Sequence, residues 1–279
     1  MGLFPKELYE GFSWRRRHGE PKTRVQLFQC VFIDQFFSLI PVNLFYLLFW
    51  LPALAWSAFC LLQAITFMQS ENGTGFIATM NTWTLGLVPC LTIVGPARAG
   101  MARLMRDWAR EEYCKVLPTF WKGMKENWLQ TIPFSLMTGL FPMAVWSAYQ
   151  LSGGADVLFW VVCGAFALFL LTMQVFYVLL VTYDLKTRHH FRNAVLMLFM
   201  HPLRFVLVQL GSLSFVIAYV ILCLLSPGQV LQNLLIPLVY YCIIGLAATE
   251  LINASLANLL CDEHLNPKIV DQVDTETTL

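Results

Sequence analysis

Long apolar stretches dominate this sequence and restrict the folds that it can adopt. Of its 279 residues, 58% are hydrophobic and 13% are charged, and the mean hydropathy is +0.63. A soluble domain carries about 25% charged residues. A helix of about 20 apolar residues crosses the hydrocarbon core of a bilayer, and in lipid it satisfies all its own backbone polar groups. We therefore expect an all-α fold, a polytopic transmembrane helical bundle.

The lengths of the apolar stretches predict about six spans within a single transmembrane domain at 25–260. The predicted spans are 43–67, 76–95, 131–150, 157–182, 203–225 and 230–256. Pro41 divides the first apolar region, so a separate short helix is expected at 25–40. Two alternatives stay open, because 25–40 is almost long enough to cross the membrane and 76–95 can also be a re-entrant segment.

Basic residues are confined to a few segments, which predicts the orientation of the chain. All 18 Lys and Arg residues lie in the leader, in two loops or in the tail, and the three short turns have none. Cytoplasmic loops are enriched in Lys and Arg. Both termini are therefore expected in the cytoplasm, with 1–24 as a basic arm and 261–279 as an acidic tail. The arm either contacts anionic lipid headgroups or only sets the topology.

The first basic loop predicts two amphipathic helices at the cytoplasmic surface of the membrane. Gly95-Pro96 is expected to end the preceding span, and a new helix at 97–109 then follows. Its apolar face (Met101, Leu104, Met105 and Trp108) is opposite its arginine face (Arg103, Arg106 and Arg110), and a second helix at 118–129 has the same pattern. Both are expected to lie flat in the interface, with their aromatic sides toward lipid.

The charged faces of these two helices form the predicted docking surface. It would present positive charge to lipid headgroups or to an acidic cytoplasmic partner, and the alternative is membrane anchoring and topology alone. The docking residues are Arg98, Arg103, Arg106, Arg110, Lys122 and Lys125.

Asp34, Glu250 and Asn253 are the polar residues of interest at the predicted depth of the membrane. An ionisable group in lipid is costly, so it either pairs inside the bundle or marks a transport site. For Glu250 the expected partner is Arg98, which lies at the same predicted level. Its small neighbours Ala97, Ala99 and Gly100 are expected to let the last span approach closely.

No residue pattern in the sequence indicates catalysis, a metal or a cofactor. His189 and His190 are adjacent, so on a helix they point about 100° apart and cannot easily share one ion. The sequence has no GxSxG, HExxH or phosphate-binding Gly-Lys-Ser/Thr motif, and it has no nucleic-acid module. We expect no enzyme activity, no cofactor, no metal and no nucleic-acid partner.

Several short motifs, taken in order, resemble the YesL-like family of uncharacterised bacterial membrane proteins over about residues 25–225. The motifs are Asn43, Gly95-Pro96-Ala97 with Ala99, Phe120-Trp121-Lys122 to Asn127-Trp128, Tyr183-Asp184-Leu185, Arg192-Asn193-Ala194 and Pro202. The resemblance implies a cell-membrane protein, mostly of Gram-positive bacteria, often encoded beside carbohydrate ABC-transporter and sensor-kinase genes. It implies no catalytic residues. This chain has additional apolar residues between Trp50 and Pro89.

Two functions are compatible with these observations. The first is a non-enzymatic accessory or regulatory membrane protein linked to carbohydrate uptake or its signalling, with the bilayer and an ABC-transporter or sensor-kinase component as partners. The second is a small secondary transporter that uses Asp34 and Glu250, since interrupted helices can supply binding groups at membrane depth.

Reporter fusions test the predicted topology. Fusions after Ser152 and after Gln229 are expected to report the outside, and fusions after Lys115 and after Leu279 the inside, because the basic segments stay in the cytoplasm. A reversed signal at any one of these four positions would contradict the six-span model.

Overall fold

The computed structural model describes residues 24–112, 114–226 and 230–265. The predicted basic arm, except for Arg24, and residues 266–279 of the predicted acidic tail lie outside this part of the chain. Across the described residues the fold consists of helices and short connections, without a β-strand. The prediction of an all-α polytopic bundle is confirmed.

Eleven α-helices and one π-helix make up the described part of the fold. They are α1 (Arg24–Asp34), α2 (Phe36–Gln69), α3 (Gly73–Ala109), α4 (Val116–Leu151), α5 (Val157–Thr182), α6 (Thr187–Met200), α7 (Pro202–Ser212), α8 (Ser214–Leu225), α9 (Val230–Asn233), α10 (Leu235–Tyr240), the π-helix (Tyr241–Gly245) and α11 (Leu246–His264).

Five helical segments of the described chain are long and apolar enough to cross a membrane. They are α2, α3, α4, α5 and the continuous segment Leu235–His264. A sixth crossing is present if α6 and α7, which meet at an angle of 96°, count as one broken span. The predicted span at 203–225 corresponds to α7 and α8, which are separated only by Leu213. The Ile217 N–H still donates to the Leu213 carbonyl at 2.9 Å, so backbone bonding continues across this break.

The first apolar region differs from the prediction in the position of its break. Pro41 lies inside the 34-residue helix α2 without ending it, as transmembrane helices tolerate proline when neighbouring groups satisfy the backbone. The interruption is at Gln35 instead, between α1 and α2. With 11 residues, α1 rises about 16 Å, which is too short for a crossing.

Gly95-Pro96 does not end a helix, and this prediction is wrong. Helix α3 runs without interruption for 37 residues, or about 55 Å. Pro96 leaves the Thr92 carbonyl without its usual donor, and the Ser135 hydroxyl of α4 lies 3.2 Å from that oxygen. Gly95 makes this approach possible, since a Cβ there would lie 2.4 Å from the Ser135 Cβ. The same hydroxyl also lies 3.1 Å from the Thr131 and Ile132 carbonyls of α4. A hydroxyl from the neighbouring helix is thus in position to replace the lost backbone donor.

Glycines hold α3 and α4 in close contact along their length. A Cβ at Gly100 would lie 2.5 Å from the Phe120 carbonyl oxygen, and one at Gly123 would lie 3.1 Å from the Gly100 Cα. Nearer the other end, a Cβ at Gly139 would lie 2.8 Å from the Val88 Cα. Small residues of this kind let helix backbones approach each other in membranes. Gly100 therefore accommodates α4, rather than the last span as predicted.

The predicted surface helices at 97–109 and 118–129 are the ends of α3 and α4, not separate elements. Met101, Leu104 and Met105, predicted to face lipid, have no exposed surface and belong to the protein core. The prediction that this segment lies flat in the interface is wrong, because its apolar face packs against other helices. At about 55 Å, α3 is also longer than the roughly 30 Å hydrocarbon core of a bilayer.

Asn43 of α2 holds an irregular turn in the last span. The π-helix frees backbone groups that a regular helix would pair. The Asn43 Nδ2 donates to the carbonyls of Tyr241 and Cys242, at 3.0 and 2.8 Å, and its Oδ1 accepts from the Ala247 N–H at 2.9 Å. Asn43 is fully buried. One side chain therefore satisfies three backbone groups of the last span and fixes it against α2.

Candidate functional site

An ion pair between Arg98 of α3 and Glu250 of α11 occupies the interior of the bundle. The Arg98 Nε donates to the Glu250 Oε1 at 2.9 Å, and the two side chains are 20% and 8% exposed. The predicted pairing is confirmed. Each group neutralises a charge that would otherwise be costly to bury.

Two tyrosines enclose this pair. The Arg98 guanidinium carbon lies 4.8 Å from the centre of the Tyr177 ring, which is a cation–π distance. Tyr46 of α2 is close enough to interact electrostatically with both charges. Tyr46 and Tyr177 are almost completely buried. Four helices, α2, α3, α5 and α11, thus contribute to one enclosed polar cluster, which we call the Arg98 cluster and define as Tyr46, Arg98, Tyr177 and Glu250.

Further along α11, two asparagines continue the polar stripe that begins at Glu250. Asn253 is 2% exposed, and its Oδ1 has no hydrogen-bond partner among the described residues. The Asn258 Oδ1 accepts from the Arg110 Nε at 3.2 Å, while its Nδ2 is buried without a partner in the same part of the chain. Buried polar groups of this kind usually bind another group or an ordered water.

The other arginines of the predicted docking surface bond within the protein. Arg103 pairs with Glu126 of α4. The Arg106 Nη1 donates to the Val181 carbonyl near the end of α5 at 2.9 Å, and its Nε donates to Asp107 at 2.9 Å. These bonds, with the one from Arg110 to Asn258, join the C-terminal ends of α3, α5 and α11 to the start of α4. We call this part of the molecule the basic end.

Only the lysines of the predicted docking surface are directed outward. The Lys122 side chain is 60% exposed and lies 3.9 Å from Glu126. The Lys125 Nζ lies 5.6 Å from the centre of the Trp121 ring. Trp121 and Trp128 of the same helix are 46% and 50% exposed. The structure therefore divides the six predicted residues into four inward arginines and two outward lysines.

Asp34 and Glu250, the two acids of the predicted polar site, have different partners. Asp34 lies at the end of α1 and accepts from the Cys30 thiol at 3.5 Å, and that thiol also lies 3.9 Å from Glu111. Glu250 pairs with Arg98. Asp34 therefore lies beside the end of α3, whereas Glu250 lies inside the bundle.

Tyr183, from the Tyr-Asp-Leu motif, connects the end of α5 to α11. Its side chain hydrogen-bonds to Cys261, and burial raises the pKa of the Tyr183 hydroxyl above its usual value. The group is therefore neutral at physiological pH and serves as a hydrogen-bonding contact. The motif thus has a structural role at the basic end.

Two features of the structure have no clear signal in the sequence. The first is the backbone-binding role of Asn43, which depends on a π-helix about 200 residues away. The second is a group of His201, Glu263 and His264, whose side-chain ligand atoms all lie within 4.8 Å of one another. Their separation in sequence hides this proximity, and only the bend between α6 and α7 brings His201 to the end of α11.

Comparison with known families gives one match. Residues 39–148 match the model of a family described as "Protein of unknown function, DUF624". The matched segment extends from α2 almost to the end of α4, and it includes Asn43, Arg98 and both outward lysines. Neither the curated proteins nor the solved structures contain a match to this chain.

A double-mutant cycle tests the energetic role of the ion pair. We expect Arg98→Gln and Glu250→Gln each to destabilise the protein by about 3–5 kcal/mol, because each leaves an unpaired buried charge. The double variant is expected to be no less stable than either single variant. Thermal unfolding in detergent measures all three, and Lys122→Gln, at an exposed pair, should cost only about 0–1 kcal/mol. Simple addition of the two losses would contradict the pairing.

Proposed function

We propose that this protein is a non-enzymatic accessory or regulatory protein of the cell membrane, linked to carbohydrate uptake or its signalling. The proposal places both termini in the cytoplasm and the protein in a Gram-positive bacterium. The match to a family of unknown function is consistent with the YesL-like resemblance, from which the link to carbohydrate uptake comes.

The observation that carries the proposal is the division of the basic residues. The arginines are used inside the protein to fasten helix ends together, which favours a fixed scaffold. The outer face of α4 is left as an exposed surface for a partner. Its exposed side chains are Lys122, Lys125, Trp121 and Trp128. Aromatic and basic side chains together suit the membrane interface. They also suit a protein partner, since tryptophan is enriched in interfaces and the lysine charges can complement acidic groups.

The proposed partner is a membrane component of a carbohydrate ABC transporter or of a sensor kinase. A partner that contacts the α4 face would meet it at the level of the cytoplasmic headgroups, where the proposed orientation places the basic end. Acidic groups on that partner would complement Lys122 and Lys125.

A small secondary transporter is the second candidate, and a specific observation favours it. The Asn253 Oδ1 is buried and unpartnered one helical turn from Glu250, and a π-helix interrupts the same span. Irregular turns and intramembrane carboxylates are common features of transport sites. Against this candidate, Glu250 is already paired with Arg98, so that binding a cation there requires the pair to open.

Co-purification from native membranes tests the proposed function. We expect the tagged full-length protein to retain an ABC-transporter or sensor-kinase subunit. A variant with Trp121→Ala and Lys122→Gln should retain at least about tenfold less, because it loses apolar contact and charge on the α4 face. Trp160→Ala removes a tryptophan at the start of α5 that is even more exposed, 64% against 46% for Trp121, and is the control. If the wild type and the α4 variant retained equal amounts of the subunit, the proposal that the α4 face is a docking site would be contradicted.

Flux measurements separate the two candidate functions. Purified protein in liposomes is expected to show no coupled movement of sugars, protons or sodium ions. Coupled flux that is abolished by Glu250→Gln but not by Lys122→Gln would overturn the accessory proposal and support the transporter.

A further inference from the structure

Two histidines from distant parts of the chain meet at one edge of the bundle. His201 lies at the elbow between α6 and α7, where the chain turns by 96°, and His264 is the last residue of α11. Their Nε2 atoms are 2.7 Å apart, and their rings are stacked with centres 5.0 Å apart. Two imidazole nitrogens therefore point at the same small volume.

A carboxylate completes the group. Neighbouring side chains on a helix point about 100° apart, but Glu263 and His264 lie at the very end of α11, and the Glu263 Oε2 is 3.8 Å from the His264 Nε2. The same carboxylate oxygen accepts from the Arg204 Nη1 at 2.7 Å. Each of the three residues offers a ligand atom, and these atoms lie within 4.8 Å of one another. The Glu263 side chain is 35% exposed and that of His264 is 33% exposed, so that water and ions can reach the group.

We propose that His201, Glu263 and His264 bind a divalent transition-metal ion of the zinc class. Two imidazoles and one carboxylate are ligands that Zn²⁺ takes in proteins, with a water molecule in the fourth position. Harder ions such as Mg²⁺ and Ca²⁺ prefer a set made of oxygen atoms. The imidazoles therefore select for zinc and its neighbours in the first transition row.

The geometry requires only a small adjustment on binding. With Zn–N distances of about 2.0–2.1 Å, two nitrogens in a tetrahedral site lie about 3.3 Å apart. The two rings would separate by roughly half an ångström, which rotation about the side-chain bonds allows. Glu263 can keep Arg204 on one oxygen and give the other to the metal, since a carboxylate has two acceptor atoms. Arg204 would then hold Glu263 in position.

A bound ion would fasten the elbow between α6 and α7 to the end of α11. Because α6 and α7 together form the bent pair of the fold, the metal would fix the angle of that bend relative to the last span. Metal binding to the folded state also raises its stability. This site lies apart from the α4 face and does not depend on the proposed function.

Metal content gives the direct test. Full-length protein with a tag other than polyhistidine is stripped with a chelator, dialysed against Zn²⁺ and analysed by elemental mass spectrometry. We expect one zinc per chain in the wild type and a loss of at least about tenfold in affinity for His201→Gln, His264→Gln and Glu263→Gln. His189→Gln removes an exposed histidine of α6 outside the group and should bind zinc as the wild type does.

Two further measurements use only the wild type, so their results do not depend on whether the variants fold. Co²⁺ in place of Zn²⁺ should give the visible absorption of a tetrahedral site in the wild type, and saturating Zn²⁺ should raise its unfolding temperature by about 5 °C or more. A wild type that binds no stoichiometric zinc would overturn the proposal. So would equal binding by the wild type and a His201→Gln/His264→Gln variant, and the two rings would then form only a hydrogen bond.

Discussion

The arrangement of the helices depends on polar groups inside the bundle that bond to a group on another helix. An unpaired polar group in an apolar environment costs several kcal/mol. Asn43 binds backbone groups of the π-helix in the last span, and the Ser135 hydroxyl lies within hydrogen-bond distance of the carbonyl that Pro96 leaves free. Arg98 and Glu250 pair with each other. Each contact joins two helices, so together they fix α2, α3, α4 and α11 relative to one another.

The sequence predicts the parts of this fold that follow from length and charge. Apolar runs of sufficient length identify the long helices, and the predicted span at 157–182 has the bounds of α5. The Arg98–Glu250 pair was also predictable, because two opposite charges at the same depth of a bundle have few other partners. These predictions succeed because each depends on a single strong energetic term: the burial of apolar surface in lipid or the burial of charge.

The rest depends on side chains from distant helices, which local patterns do not contain. Gly95-Pro96 has the pattern of a helix break, but Ser135 offsets the lost hydrogen bond and α3 continues. An apolar stripe beside arginines has the pattern of a surface helix, yet Met101 packs in the core while Arg106 binds a carbonyl of α5. Periodicity shows which residues share a face. It cannot distinguish lipid from a neighbouring helix as the environment of that face, because both are apolar.

Replacing Asn43 tests most directly the claim that internal polar contacts hold the helices together. Asn43→Leu keeps a similar volume but removes three hydrogen bonds to backbone groups of the last span, so we expect a loss of about 3 kcal/mol or more in unfolding experiments in detergent. Asn127→Leu is the matched control, since the Asn127 Nδ2 donates only to a carbonyl of its own helix, and it should cost about 1 kcal/mol or less. Equal stability of the Asn43→Leu variant and the wild type would contradict the account.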